Sequence, residues 1–151
     1  SGQTSFQFLL RFRQDVINLK PRVVVINYGT NDIAENTGAY NEDQTFDNIA
    51  AMVDMARANK IKVILCSTLP ASRFGWRPKI KDGMVKIRHL NDRVREYARK
   101  NKIQYVDYFS AMVTADGLGM RKEFQNDEVH PNLNGYAVME NLIVPAINRE
   151  L

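Results

Sequence analysis

Val23-Val24-Val25-Ile26-Asn27-Tyr28 is an apolar run that ends in the polar turn Gly29-Thr30-Asn31-Asp32. Four consecutive β-branched residues favour a strand, and we predict one over residues 22–28. The run does not alternate with polar residues, which is typical of a strand buried on both faces of a parallel sheet. In such sheets ligands bind beyond the carboxyl ends of the strands. The polar turn at residues 29–32 is therefore a candidate functional segment.

Working outward from this strand, the chain alternates between apolar runs and amphipathic stretches. Two further buried strands are predicted, and the spacing of apolar residues predicts four long helices and one short helix. Such alternation implies parallel strands joined by right-handed helical crossovers, and so an α/β fold. The other predicted strands are 61–66 and 103–106, the helices 5–19, 43–59, 83–100, 108–115 and 134–149, and the loops 29–42, 67–82 and 116–133.

A second candidate segment is Asp127-Glu128-Val129-His130-Pro131, in the last predicted loop. A carboxylate three residues before an imidazole can hold the ring in one tautomer and stabilise the imidazolium. The free ring nitrogen can then take a proton from a hydroxyl nucleophile. Asp-x-x-His recurs in ordinary loops. The pattern is more informative here because residues 29–32 are predicted on the same rim of the sheet.

With these motifs in this order, the chain resembles the SGNH (GDSL-type) esterases and acylhydrolases from residue 1 to about residue 147. Three of the family's blocks are matched, by Ser1-Gly2-Gln3-Thr4-Ser5, by Gly29-Thr30-Asn31-Asp32 and by Asp127-Glu128-Val129-His130-Pro131. The resemblance implies a three-layer α/β/α sandwich of flavodoxin-like type and catalysis without a cofactor. It implies catalytic roles for Asp127 and His130, and an oxyanion hole formed by the backbone of Gly2 and the side chain of Asn31.

The family's first block, a strand that ends in Gly-Asp-Ser and carries the nucleophilic serine, has no match in this sequence. The five serines present are Ser1, Ser5, Ser67, Ser72 and Ser110, none in that context. The resemblance therefore predicts that residues 1–151 are one hydrolase domain that lacks its N-terminal strand or strands. It also predicts that the nucleophile lies outside this chain, and that a missing N-terminal segment or a second chain completes the sheet beside strand 22–28.

Composition narrows the function classes. The chain of 151 residues is 44% hydrophobic and 25% charged, which suits a single globular domain. Its net charge of +4 comes from scattered lysines and arginines, whereas a nucleic-acid interface needs a clustered basic face. The single cysteine, Cys66, lies in an apolar run and is predicted to be a buried, unreactive thiol. No apolar stretch reaches the roughly 20 residues of a membrane span, and the cell compartment stays open.

Each candidate residue has a structural alternative. Asn31 could cap a turn after Gly29, Gly2 could mark a helix entry, and His130 could be an ordinary loop histidine. Asp32 is interpreted as a brace for its loop. Metal binding by Asp127 and His130 is disfavoured, since no third ligand stands at a suitable spacing. The other histidine, His89, lies in a predicted helix with no acid three residues before it.

The loop 67–82 adds an aromatic pair, Phe74 and Trp76. An exposed aromatic cluster on the active rim would form a substrate wall for a sugar ring or an acyl chain. The alternative is that Trp76 folds back onto the edge of the sheet.

Two functions remain from the sequence. The first is a serine esterase that hydrolyses a carboxylic ester, with a short acyl group such as acetyl on a carbohydrate or small alcohol as the expected substrate. Longer acyl lipids and thioesters stay open. The second is a fragment or degenerate relative that binds a carbohydrate or a protein without hydrolysis. A Gly-Asp-Ser strand encoded upstream of Ser1 would favour the enzyme.

Overall fold

In the computed structural model, which describes residues 1–151, three parallel strands form the sheet. They are β1 (Val23–Ile26), β2 (Lys62–Cys66) and β3 (Gln104–Val106), in that order. Val24 lies opposite Val63 in the first pair, and Ile64 lies opposite Gln104 in the second. The three strands are adjacent and parallel, as the sequence predicts. Their carboxyl ends therefore meet along one rim.

Six α-helices surround the sheet. Two of the long helices begin at an asparagine that caps a backbone N–H group: Asn41 accepts from Gln44 N–H at 3.0 Å, and Asn132 accepts from Gly135 N–H at 3.1 Å. The helices are α1 (Ser5–Asp15), α2 (Thr30–Ile33), α3 (Glu42–Ala58), α4 (Gly83–Lys100), α5 (Tyr108–Met112) and α6 (Leu133–Glu150), with short 3₁₀ turns at Ile17–Leu19 and Lys122–Phe124.

The helices form two layers, one on each face of the sheet. Helices α1, α3 and α4 share the larger hydrophobic core with one face, where Ile49, Val53 and Leu90 are fully buried. Helices α5 and α6 cover the other face, where Met112 and Ala146 are fully buried. This arrangement confirms the predicted three-layer α/β/α sandwich.

Several predicted boundaries need correction. The first helix ends at Asp15, and a 3₁₀ turn replaces its last predicted residues. The predicted loop 29–42 begins with the short helix α2, so Asn31 and Asp32 lie on a helical turn. The strands are shorter than predicted by one to three residues.

Strand β1 is less buried than the sequence predicts. Val25 is 37% exposed, because α6 packs against β2 and β3 and leaves this face of β1 uncovered. Strand β1 pairs with β2 only, so its other edge carries unpaired backbone groups in this structure. An apolar groove of about 280 Å³ follows β1 between Phe8, Phe12, Val25 and Met52. Within residues 1–151, this edge of β1 is therefore unpaired and apolar.

Two smaller predictions can be compared with the structure. Cys66 is fully buried, and burial raises the pKa of its thiol to about 11, although a hydrogen bond with Tyr108 acts in the opposite direction. The thiol is therefore protonated at neutral pH. The six α-helices include no candidate for a membrane-spanning segment.

Candidate active site

Asp127 and His130 form a hydrogen-bonded pair in the loop before α6. Asp127 Oδ2 lies 2.6 Å from His130 Nδ1, and Asp127 Oδ1 accepts the backbone N–H groups of His130 at 2.7 Å and Val129 at 3.1 Å. One carboxylate thus holds both the ring and the backbone of the histidine. The His130 side chain is 65% exposed, and its Nε2 atom has no hydrogen-bond partner.

The surroundings of Asp127 favour its ionised form. Burial alone would raise the pKa of the carboxyl, but hydrogen bonds from the backbone and ring of His130 and the backbone of Val129 outweigh it. The pKa of Asp127 is therefore held below its usual range. An ionised Asp127 can stabilise a positive charge on His130 when the ring takes up a proton.

The loop around this pair is fixed at both ends. Val129 is 3% exposed and anchors the loop in the core, while Asn132 begins α6 immediately afterwards. Gly135 lets the helix approach the preceding chain, since a Cβ there would lie 2.4 Å from the carbonyl oxygen of Phe124. These contacts hold His130 at the rim of the sheet.

Asn31 is presented by the turn that follows β1. Gly29 has φ +96°, and a Cβ at this position would lie 2.4 Å from Thr68 Oγ1. Only glycine fits here, because both the backbone conformation and the space exclude a side chain. Helix α2 begins at the next residue, and Asn31 Nδ2 donates to the carbonyl oxygen of Gln3 at 2.9 Å.

Asp32 ties α2 to α1 and α3. Its carboxylate accepts the backbone N–H of Ser5 at 3.0 Å and the hydroxyl of Thr45 at 3.3 Å. Asn48 in turn donates to Ser5 Oγ at 3.0 Å. The interpretation of Asp32 as a brace is confirmed by these contacts.

Gly2 lies beside Asn31 and has φ +73°. Its carbonyl oxygen accepts from Asn36 Nδ2 at 2.9 Å, and the same Nδ2 donates to Asn31 Oδ1 at 3.0 Å. Its backbone N–H makes no hydrogen bond within the chain. Gly2 and Asn31 therefore occupy one small region of the rim, as the sequence predicts.

Trp76 connects this region to His130. Its Nε1–H donates to Asn36 Oδ1 at 2.8 Å, and its ring centroid lies 5.9 Å from that of His130 at an interplanar angle of 31°. The side chain stays 40% exposed. Trp76 therefore lines the rim beside the candidate base.

Phe74 does not join an exposed aromatic wall, and this prediction is wrong. Its side chain is fully buried and packs edge-on against Trp76, with centroids 5.7 Å apart. It also fills the space over Gly83 at the start of α4. The phenyl ring has no polar group, so burying it in the core is favourable. Phe74 therefore packs against the Trp76 ring from the core side.

The sequence patterns do not identify two asparagines, Asn36 and Asn91, that have structural roles at this rim. Asn91 on α4 is 2% exposed and clamps Thr68, accepting its N–H at 2.7 Å and donating to its carbonyl at 3.0 Å. Its position on the buried face of a helix is the only signal, since buried polar groups need partners. Asn36 lies in a segment rich in Asn, Gly and Thr and carries no distinguishing signal.

The second histidine and the possible metal ligands lie outside a common site. His89 is exposed on α4 and belongs to no part of the site. The chain holds no group of three or more His, Cys, Asp or Glu side chains arranged to bind a metal ion. A small cavity of about 150 Å³ opens beside Asn31, lined among others by Gln3, Gly29 and Leu69.

Known proteins show the same sequence pattern and fold. The sequence profile of the GDSL-like lipase/acylhydrolase family matches residues 1–138. An acetylxylan esterase from Xylanibacter ruminicola is 27% identical over 155 residues, which covers 89% of this chain and 30% of that protein. The chain spans 55% and 30% of the lengths of two curated relatives that it matches.

Two solved structures from Bacteroides superpose closely on this chain. One, from Bacteroides fragilis NCTC 9343, is a protein proposed to be an acylhydrolase, with 60% identity and a TM-score of 0.97 over 99% of this chain and 72% of that chain. The other is a GDSL-like lipase from Bacteroides thetaiotaomicron VPI-5482, with 58% identity and a TM-score of 0.98 over 100% of this chain and 74% of that chain.

Proposed function

Because the chain belongs to the GDSL-like lipase/acylhydrolase family, we propose that it carries the base and the oxyanion donors of a serine esterase. The proposal rests on the relative positions of the candidate residues. The pair of Asp127 and His130 lies on the same rim as Gly2 and Asn31, and Trp76 and Asn36 connect the two groups.

In this proposal, a serine outside residues 1–151 is the nucleophile. None of the five serines of the chain is hydrogen-bonded to His130, and Nε2 of that ring is free. His130 Nε2 removes the proton of the nucleophile as its oxygen attacks the ester carbonyl. Asp127 holds the ring and stabilises the imidazolium. His130 then protonates the leaving alcohol, and a water molecule hydrolyses the acyl-enzyme by the same steps.

The negative charge that develops on the carbonyl oxygen needs fixed donors. The backbone N–H of Gly2 and the side-chain amide of Asn31 are the proposed pair, and both retain a hydrogen without a partner. Preorganised donors stabilise the transition state more than the ground state, which lowers the barrier. One such donor contributes about 3–4 kcal/mol.

The proposed substrate is an ester with a short acyl group, such as acetyl, on a carbohydrate or small alcohol. The exposed indole of Trp76 beside His130 offers an apolar face on which a sugar ring can stack. The similarity to an acetylxylan esterase from Xylanibacter ruminicola supports the same substrate class. Longer acyl chains are the alternative that a substrate panel would separate.

A second candidate function is binding without hydrolysis, as in a carbohydrate- or protein-binding module. Residues 1–151 contain no Gly-Asp-Ser segment, so the two candidates differ in whether an upstream segment supplies the nucleophile. Reading the gene upstream of the codon for Ser1 separates the two candidates. A strand that ends in Gly-Asp-Ser favours the esterase.

The esterase proposal is tested with the protein expressed from its complete gene. We expect it to hydrolyse p-nitrophenyl acetate and acetylated xylo-oligosaccharides. His130→Ala should lower kcat by at least about a thousandfold, and Asn31→Ala by about 10²–10³. His89→Ala, which removes the exposed histidine of α4, is the matched control and should retain full activity. Unchanged turnover in a folded His130→Ala protein would refute the mechanism.

A further inference from the structure

We propose that Asn36 and Trp76 are positioning residues that set the orientation of the Asn31 amide, so that its amino group faces the reacting carbonyl. The proposal rests on the function proposed above and goes beyond it. It adds two residues that act through Asn31. Asn36 lies three residues after α2, and Trp76 lies in the loop after β2.

A side-chain amide can present either its oxygen or its amino group to a given neighbour, and the two orientations fill nearly the same space. For an oxyanion hole the choice is decisive. The amino group donates to the developing negative charge, whereas the oxygen would repel it. Asn31 therefore needs neighbours that accept only one of its two orientations.

The neighbours of Asn31 and Asn36 meet this requirement because several can only donate or only accept. The indole Nε1–H of Trp76 has no acceptor, so the atom of Asn36 that faces it at 2.8 Å is the oxygen. The carbonyl oxygen of Gly2 can only accept, so the atom of Asn36 that faces it at 2.9 Å is the nitrogen. Two independent contacts thus orient Asn36.

Asn36 then orients Asn31. Its amino group donates to Asn31 Oδ1 at 3.0 Å, and the carbonyl oxygen of Gln3 accepts from Asn31 Nδ2 at 2.9 Å. Rotating the Asn31 amide by half a turn would break both bonds and bring two pairs of like groups together. In the observed orientation, one hydrogen of Asn31 Nδ2 remains without a partner. That hydrogen is the one available to the oxyanion.

The contacts of Trp76 also join the oxyanion side of the site to the side that holds His130. Trp76 contacts Asn36 through its N–H and lies beside His130 through its ring. Arg73 of the same loop forms an ion pair with Glu128, next to Asp127. The loop after β2 therefore touches both the oxyanion side and the base side of the rim.

The main test replaces Asn36 by aspartate in the protein expressed from its complete gene. Asn36→Asp keeps the shape and an oxygen for the Trp76 N–H, but it puts an oxygen where the amino group faced Asn31 Oδ1. Asn59→Asp is the matched control. Asn59 caps the end of α3, where its amide donates to a backbone carbonyl at 2.8 Å, so the same chemical change occurs far from the site.

We expect Asn36→Asp to lower kcat by about 10–100-fold and to change KM by less than about threefold, since the oxyanion donor acts mainly in the transition state. Asn59→Asp should leave both constants unchanged. In an Asn31→Ala background, Asn36→Asp should lower kcat by a clearly smaller factor, because only its contact with the Gly2 carbonyl is then left to lose. A purely structural role would give the same loss in both backgrounds.

The outcomes separate this proposal from the esterase proposal. If His130→Ala and Asn31→Ala lower kcat as expected but Asn36→Asp does not, the positioning role alone is overturned. It is also overturned if the loss appears in KM only, or in both backgrounds equally. If His130→Ala retains full turnover, the esterase mechanism itself fails.

Trp76→Phe provides a second test, which can be used if the Asn36→Asp protein does not fold. Phenylalanine keeps an aromatic ring beside His130 but removes the N–H that orients Asn36. We expect a loss of kcat of about 3–10-fold that becomes smaller in the Asn31→Ala background. A Trp76→Phe protein with the kcat of the wild type would overturn the role of the indole N–H.

Discussion

Replacing Gly29 by alanine should destabilise the chain by about 2–6 kcal/mol, a large part of the 5–15 kcal/mol that is typical of a domain. The backbone contributes first, since an L-residue at φ +96° is strained by about 1–3 kcal/mol. The added Cβ contributes next. It would lie 2.4 Å from Thr68 Oγ1 and 2.9 Å from Leu90 Cδ2, and overpacking of this kind costs about 1–3 kcal/mol.

Alanine variants at two other glycines separate the backbone strain from the steric clash. Gly38 has φ +140° but open space around it, so Gly38→Ala should show only the backbone strain of about 1–3 kcal/mol. Gly75 has neither a positive φ nor a close neighbour, so Gly75→Ala should stay within about 0.5 kcal/mol of the wild type. Unfolding in urea, followed by circular dichroism, measures all three differences.

A further variant tests whether Thr68 is the residue that the added Cβ would clash with. Thr68→Ala removes the hydroxyl that the new Cβ would meet, although it also removes a 2.8 Å hydrogen bond to the Tyr28 carbonyl. The double variant Gly29→Ala/Thr68→Ala should therefore be less destabilised than the sum of the single variants. If Gly29→Ala costs no more than Gly38→Ala, or if the two changes at 29 and 68 are simply additive, the packing argument is wrong.

Three further predictions concern catalysis, assembly and pH. Residues 1–151 alone should form no covalent adduct with a fluorophosphonate probe, because the proposed nucleophile lies elsewhere, and a stoichiometric adduct mapped by mass spectrometry to any of the five serines would contradict this. The free edge of β1 should be covered in solution by a further strand, from a segment outside residues 1–151 or from a second copy, since exposed strand edges invite pairing. Intact mass and size in solution test this, and a 17.3 kDa monomer with slow amide exchange across residues 22–28 would refute it. Since the pKa of Asp127 is lowered in the folded chain, its contribution to stability should be complete above the unfolded value of about 3.9 and be lost as pH falls through the folded value. Asp127→Asn should therefore lose less stability than the wild type on acidification, and parallel acid-unfolding curves would argue against the shift.

The sequence by itself determined the order of the elements and the segments that carry the candidate chemistry. The apolar run 23–28 and the amphipathic stretch 83–100 have local signals, since an unbroken β-branched run predicts a strand and a 3.6-residue period of apolar residues predicts a helix. The same holds for the short segments around Asn31 and His130. A carboxylate three residues before a histidine can be recognised without knowing the rest of the chain.

Only the tertiary structure decided which side chains meet at the rim. Phe74 and Trp76 are two residues apart in one loop, yet one is fully buried and the other is 40% exposed. Asn36 connects Gly2, Asn31 and Trp76, which stand 34, 5 and 40 residues away along the chain. Its place could not be predicted, because the partners of a polar side chain depend on how separate loops converge after the sheet has formed. Periodicity reports which face of an element is buried, and it carries no information on contacts between loops.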